Sequence, residues 1–307
     1  MTDIANTSAG HIRRWARAAL SQSTRRLLRR PVTYGRRLGA WLQVRRNVRG
    51  VTAEDASVIL RSVIRGPIAS LSDIDRWREP ELADDATVHV RGLGTFALRR
   101  ASDDLGHTLP ANNAKLFAAI SSRVTPGDTV IDAGANIGAV SVFLAKQVGA
   151  RGRVLAVEML PATAACLRHN LSLNGLQNVS VIERALADQS GLHVKAEVTE
   201  GVFGQARLSH AGDPTERASQ IVEVATTTLD ELAAEVGQIA LIKIDIEGAE
   251  PLAFAGGAEM LKRTKAAIFE SWRTDGGESA RLLRAAGFSI APIDGRNFIA
   301  VRGRVSA

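Results

Sequence analysis

Thr129-Val-Ile-Asp-Ala-Gly-Ala-Asn-Ile-Gly138 is the stretch on which the reading of this chain turns. A β-branched run that ends in an acid and a glycine-rich turn predicts strand, turn and helix in succession. Thr129, Val130 and Ile131 suit a buried parallel strand. Gly134 and Gly138 let the backbone turn sharply and come close to a ligand. Beyond them Val140, Phe143, Leu144 and Val148 recur at three- and four-residue spacing. That spacing predicts a helix whose N-terminus closes a site.

A second strand is expected over 153–158, ending in Glu158, 20 residues beyond Gly138. A carboxylate there can accept both hydrogen bonds of a ribose diol, which suits a dinucleotide and S-adenosylmethionine equally. The dinucleotide pattern G-x-G-x-x-G needs glycines at 136 and 139, where Asn136 and Ala139 stand. Asp132 would repel a pyrophosphate and attract a cation, so the segment favours S-adenosylmethionine over NAD.

The chain of 307 residues is long enough for one α/β core with an extension. The most apolar run, 130–145, holds Asp132, two glycines and Asn136, and so reads as a cofactor turn and not a membrane span. No signal-peptide core follows the start. Cys166 is the single cysteine, cannot form an internal disulfide and reads as a small buried residue of a cytoplasmic protein.

Charge is unevenly placed. Residues 1–50 carry 12 Arg against Asp3, or +11, so the remaining 257 residues of a chain of net charge +7 sum to −4. Ile12, Trp15, Ala16, Ala19, Leu20 and Leu27 fall near one helical face, with Arg13, Arg14, Arg17, Arg25 and Arg29 off it. After Pro31, Tyr34, Leu38, Trp41, Leu42 and Val48 suggest a second basic amphipathic segment. Four uses fit such an extension: a solvated or self-docked helix, peripheral contact with an anionic membrane surface, nucleic-acid binding, or an Arg-rich organellar presequence.

The expected organisation is an Arg-rich amphipathic extension over 1–50, a helix and hairpin lead-in over 51–107, and a catalytic domain over 108–307. Within these, helices are expected at 53–65 and 114–124, with a hairpin of 87–90 and 95–99 around Gly92 and Gly94. Strands follow at 129–133, 153–158, 179–183, 239–244, 266–270, 288–291 and 297–301, with helices at 138–148, 161–173, 248–263 and 277–286. Residues 197–220 read as a polar segment. Strands alternating with helices predict a doubly wound, mostly parallel sheet covered on both faces, with ligands at the carboxyl ends of its strands.

Leu241-Ile-Lys-Ile-Asp-Ile-Glu-Gly-Ala-Glu250 ends one of those strands with a Lys and three acids in eight residues. Helix capping accounts for one or two of the acids; the whole cluster at a strand mouth points to chemistry.

The blocks Gly127 to Gly138, Asn174-Gly-Leu-Gln-Asn-Val179, Ala185-Leu-Ala-Asp-Gln-Ser-Gly191, Thr228-Leu-Asp230, Ile242-Lys-Ile-Asp-Ile-Glu-Gly-Ala-Glu250 and Ile268-Phe-Glu270 stand in this order. Together they resemble the FkbM-type methyltransferases, S-adenosylmethionine-dependent enzymes with the class I, Rossmann-like fold. The resemblance covers roughly 108–300. It implies that Asp132, Gly134, Ala135, Asn136 and Gly138 hold the methionine part, Glu158 the ribose, and Asp188 the adenine amino group. Met159 stands where the family usually has Pro and is expected on the adenine face. Asp245 is implied beside the sulfonium and the acceptor.

The resemblance implies O-methylation of a sugar, glycolipid or secondary-metabolite hydroxyl, hence a small-molecule or glycan acceptor. Catalysis then rests on alignment plus a base, for which Asp245, Glu247 and Glu270 are the candidates. No metal ligand is assigned; two of these carboxylates holding Mg²⁺ is the alternative. His210, a lone loop histidine, is expected to be solvated. A nucleic-acid methyltransferase or a NAD-dependent oxidoreductase are the competing classes. Against the first, the catalytic portion is net acidic and aromatic residues are only 4% of the chain, which leaves few stacking platforms.

Overall fold

The computed structural model describes residues 22–72, 80–199, 201–208, 220–232, 234 and 236–303. The amphipathic pattern at 12–20 and His210 lie outside the described residues.

Two helices open the described chain, α1 (Gln22–Asn47) and α2 (Ala53–Ser72), separated by a short strand β1 (Val48–Gly50). β1 pairs antiparallel with β2 (Ala86–Val90), which forms the expected hairpin with β3 (Gly94–Leu98). The break expected after residue 50 therefore falls between elements that pack on each other. Trp41, Val44 and Val48 are buried in one cluster with Val58, Val88, Val90 and Phe96. A side-chain carbon at Gly66 would overlap the Trp41 indole, so only glycine lets α1 and α2 approach this closely. Trp41 is thus a core residue, not part of an outward apolar face. α2 also runs past the expected end at Arg65 and through Pro67.

Two further helices, α3 (Asp104–Thr108) and α4 (Pro110–Ser121), lead into the principal sheet. That sheet contains β4 (Thr129–Ala133), β5 (Arg153–Val157), β6 (Val179–Ile182), β11 (Ile239–Ile244), β12 (Thr264–Glu270), β13 (Phe288–Pro292) and β14 (Asn297–Arg302). Its order is β6-β5-β4-β11-β12-β14-β13. The first five run parallel, β14 runs against them, and β13, antiparallel to β14, returns to their direction. Every residue of β11 is buried, as expected for a central strand covered on both faces. From β4 the chain winds outward to β6 and later returns to β11 on the other side, so the topological switch point lies between β4 and β11.

The described part of the polar stretch after β6 and the short β7 (Ala185–Leu186) is strand. It contains β8 (His193–Thr199), β9 (Val202–Leu208) and β10 (Gln220–Thr227), which with β7 form a second sheet ordered β7-β10-β8-β9. Val194, Ala196 and Val198 alternate with polar residues, and the inner side packs with Leu160, Val224 and Ala206.

Helices α5 (Ala139–Val148), α6 (Pro161–Leu173), α7 (Leu229–Leu232) and α10 (Gly277–Ala285) fill the crossovers. The helix expected over 248–263 is two: α8 (Glu250–Ala255) and α9 (Ala258–Lys262). Gly256 and Gly257 interrupt it where a side chain would overlap the Ala187 carbonyl or press on Leu229. Asp230 caps α9 by accepting from the Glu259 and Met260 amides (3.2 and 2.6 Å). Several sequence blocks are braces of the same kind. Asn174 accepts from the Thr95 amide (3.0 Å), and Asn178 donates to the Ala145 and Gly149 carbonyls (3.0 and 2.9 Å) at the end of α5. Cys166 is half-buried against the cluster that holds Trp41. No helix among the described residues is long and apolar enough to cross a membrane.

Candidate active site

Sheet register builds the site. Ala133 is paired with both Val157 and Ile244, and Ile244 with Phe269. The next residues on these four strands are Gly134, Glu158, Asp245 and Glu270, so one row at the switch point carries three of the expected acids.

An open cleft of about 530 Å³ lies over this row. Gly134, Asn136, Glu158, Met159, Asp245 and Glu247 line it, all named by the sequence reading. Four others do not. Asp132 is fully buried beneath the cleft, Ala135 and Gly138 are packed behind it, and Asp188 is exposed on the turn after β7. The glycines have packing reasons: a Cβ at Gly134 would overlap the Asp245 carbonyl, and one at Gly138 would crowd Leu167.

Lys243 ties the two central strands together. Its ammonium lies 3.6 Å from Asp132, 3.6 Å from Asp245 and 3.3 Å from the Gly134 carbonyl. Burial works against its charge, but Asp245 and Asp132 outweigh that and hold its pKa above the ordinary value. Burial pushes the Asp132 carboxyl up, although Lys243 and the Ser141 hydroxyl, donating at 2.6 Å, pull it back. Asp132 thus supports Lys243 from below.

Glu158 accepts from the Asn136 amide through one oxygen and the Leu160 amide through the other, both at 2.9 Å. These bonds fix the carboxylate at the cleft wall, where burial still raises its pKa. Glu250 works similarly for the opposite loop, accepting from the Ile246 and Gly248 amides (2.9 and 3.3 Å). That loop holds Glu247 at φ 52°, and the facing loop holds Asn136 at φ 48°. Two non-glycine residues in the left-handed region, facing one cleft, mark strain retained at a functional place.

Asp245, Glu247 and Glu270 each offer an oxygen within 4.8 Å of the others. Burial, with Asp245 alongside, raises both Glu247 and Glu270 to about 7. Asp245 moves the other way: despite burial, Lys243 and a hydrogen bond from Glu270 lower it. The trio therefore holds one firm carboxylate and two groups that exchange protons near neutrality. Three hard oxygen donors also form a set that Mg²⁺ could occupy.

The far wall is supplied by residues the sequence reading did not single out. Phe203, Gly204, Ala206 and Leu208 come from β9, and Arg184 and Leu186 from around β7. Arg99 stacks 3.8 Å over Phe203 while its guanidinium grips Asp104, which fastens the lead-in to this wall. His107 stands beside Gly204, with its Nε2 3.4 Å from Asp103, whose carboxylate also accepts from the Gly204 amide (3.1 Å). A side chain at 204 would overlap the imidazole. His107 also faces Asp245 and Glu247, adding to the lowering of Asp245 and opposing part of the rise that burial imposes on Glu247. The alternation in β8 and β9 about Gly201 was the available signal for the wall. For His107 there was none, since its partners come from three separate segments.

The residues fit S-adenosylmethionine. Both polar atoms of the Asn136 side chain are shielded yet have no hydrogen-bond partner in the protein, as expected where a ligand completes the set. Glu158 offers a ribose acceptor, Met159, Leu186 and Phe203 offer apolar cover for a base, and Asp245 favours a cation.

A sheet ordered 3-2-1-4-5-7-6, with its cleft at the switch point and an acid ending its second strand, defines the class I methyltransferases. Residues 132–290 match the methyltransferase FkbM domain, just over half of the chain, and the chain belongs to that family. It is also 38% identical over 76 residues to an arsenite methyltransferase of Halobacterium salinarum, a match spanning 25% of this chain and 18% of that protein's length. Among solved structures, a putative rRNA-methylase from Clostridium thermocellum aligns over 62% of this chain and 93% of its own, at 12% identity and TM-score 0.40. An O-methyltransferase from Bacillus cereus in complex with SAH aligns over 62% and 81%, at 16% identity and TM-score 0.38.

Proposed function

We propose that the protein transfers a methyl group from S-adenosylmethionine to a hydroxyl of a sugar, glycolipid or secondary metabolite. The observation that supports an oxygen acceptor is the pair Glu247 and Glu270, both raised to about 7 beside Asp245. A hydroxyl must lose its proton as it is methylated, and a carboxylate poised near neutral pH can take it. The cofactor supplies an electrophilic methyl on a cationic sulfur. Glu158 and Asn136 orient its ribose and methionine ends, Asp245 stands nearest the charge, and the β9 wall excludes water. Lys243 keeps Asp245 ionised and fixed. In this reading Asp132, Ala135, Gly138 and Asp188 act by supporting the loops and not by contact.

The spacing of the three carboxylates favours one variant of this reading, in which a divalent cation held by Asp245, Glu247 and Glu270 lowers the pKa of the acceptor. The deciding experiment is incubation of the full chain with methyl-labelled cofactor and pools of glycans, glycolipids and small hydroxylated metabolites, followed by mass spectrometry. Label on an oxygen of these acceptors supports the proposal, and label on nitrogen, or labelling only of arsenite or RNA supplied in parallel incubations, overturns it. Full turnover in a chelator excludes the metal variant.

A further inference from the structure

Eleven large apolar residues are prominently exposed among the described residues, and seven of them lie between 32 and 71, so apolar exposure is concentrated on the N-terminal helices. Four share one face of α2: Leu60 (62% exposed), Ile64 (56%), Ile68 (65%) and Leu71 (56%). At 3.6 residues per turn they fall within an arc of about 80°. The buried side of the same helix, with Val58, Ile59 and Ser62, packs inward. This helix therefore has two apolar faces, of which its own domain uses one.

Among the described residues, α2 beyond its first turn and the helix packed on it carry charge of one sign. Arg61 and Arg65 lie along one edge of the row on α2 and are exposed. The helix packed on it, α1, carries eight Arg and no acid, with Arg36, Arg45 and Arg46 exposed. The acids of α2 are confined to its first turn, Glu54 and Asp55. Asp55 is engaged there, accepting from the Thr52 and Thr87 amides (2.9 and 2.8 Å).

We propose that this face docks on a lipid bilayer bearing acidic headgroups, with Leu60, Ile64, Ile68 and Leu71 inserted at the acyl boundary and the arginines on the phosphates. The combination selects that partner. A second copy of the chain would bring Arg-rich helices against each other, and a nucleic acid would satisfy the arginines but leave the aliphatic row unburied. An acidic bilayer satisfies both at once. α2 then lies flat in the interface, with its apolar arc inward and Arg61 and Arg65 at the edge of that arc. The inference stands apart from the reaction proposed above, because none of these residues lines the cleft.

The test is co-sedimentation of the full chain with vesicles of phosphatidylcholine alone and of phosphatidylcholine with phosphatidylglycerol. Binding to the acidic vesicles at low salt is expected, weakened as salt rises. The double variant Ile64→Asp/Ile68→Asp should lose about tenfold or more of that partitioning, with an unchanged melting temperature because both side chains are exposed. Leu60→Asp alone should lose part of it. Ile221→Asp, an exposed apolar residue elsewhere, should behave as the parent. Equal partitioning of the parent and the double variant overturns the proposal, as does equal binding to uncharged vesicles. So does a parent that binds no vesicle but forms a dimer, or binds RNA, through the same residues.

Discussion

Lys243 and Asp132 face each other across the two central strands at 3.6 Å, both buried, at the point where the sheet changes winding direction. One Asp132 oxygen has no hydrogen-bond partner, so its charge depends on the ammonium. Replacing Lys243 by Met leaves that carboxylate uncompensated and should cost about 3 to 5 kcal/mol, read as a lowered denaturant midpoint. Lys243→Met/Asp132→Asn, which removes both charges, should recover much of the loss. A Lys243→Met protein as stable as the parent would show that the pair is not a structural tie.

Glu158 should govern cofactor affinity. Glu158→Ala removes a carboxylate held at the cleft wall by two amides, and binding of S-adenosylmethionine or its demethylated product should weaken by about 2 to 4 kcal/mol in calorimetry. NAD should not bind either protein measurably. Tight NAD binding would reassign the cleft.

Glu247 and Glu270 should give both stability and turnover a pH signature. Their folded pKa of about 7 exceeds the ordinary 4.5, so the folded protein holds more protons than the unfolded chain between those values. The stabilisation they contribute is complete below about 4.5 and fades as pH rises through 7. Melting temperature should therefore fall over that window, and fall less in Glu247→Gln and Glu270→Gln. Turnover should run the opposite way, rising with a midpoint near 7, and should drop in either Gln variant. A flat parent profile from pH 5 to 8 would argue that neither group changes protonation.

Trp41 should report on the N-terminal region. It is almost wholly buried against Gly66, so Trp41→Ala should destabilise by about 3 to 5 kcal/mol. A chain begun at Val51 loses Trp41, Val44, Val48 and β1 together and should melt well below the full chain. Equal melting temperatures would restore the view of residues 1–50 as a separable extension.

The parts legible in the sequence were those decided by local pattern. The β-branched run at 129–133 and the apolar run at 239–244 could only be buried strands, and acids at strand ends in a wound sheet had to converge at its switch point. The β8–β9 hairpin was missed because its strands carry charged residues on the outward side and resemble a polar loop when read singly. Asp132 was placed on the cleft wall because nothing in a strand sequence says whether its acid points along the sheet or into it; Lys243, from another strand, decides that. Gly138 follows from the turn pattern and Asp188 from resemblance, while their neighbours, Leu167 and Gly256, are brought to them only by tertiary packing. Trp41 matched an interfacial pattern, yet its contact glycine is 25 residues away.

The row formed by Glu158, Asp245 and Glu270, with Glu247 above it, also bears on the end of the catalytic cycle. Methyl transfer would convert a sulfonium into a neutral thioether, so in the proposed reading the attraction to the sulfur is lost on reaction while the amino-acid end of the ligand keeps its charges. Walls that carry this row as proposed would favour the sulfonium form over the thioether by charge, and turnover would promote exchange. Since Glu247 and Glu270 take up protons below about 7, that preference should shrink in acid, with the dissociation constants of the two forms drawing together.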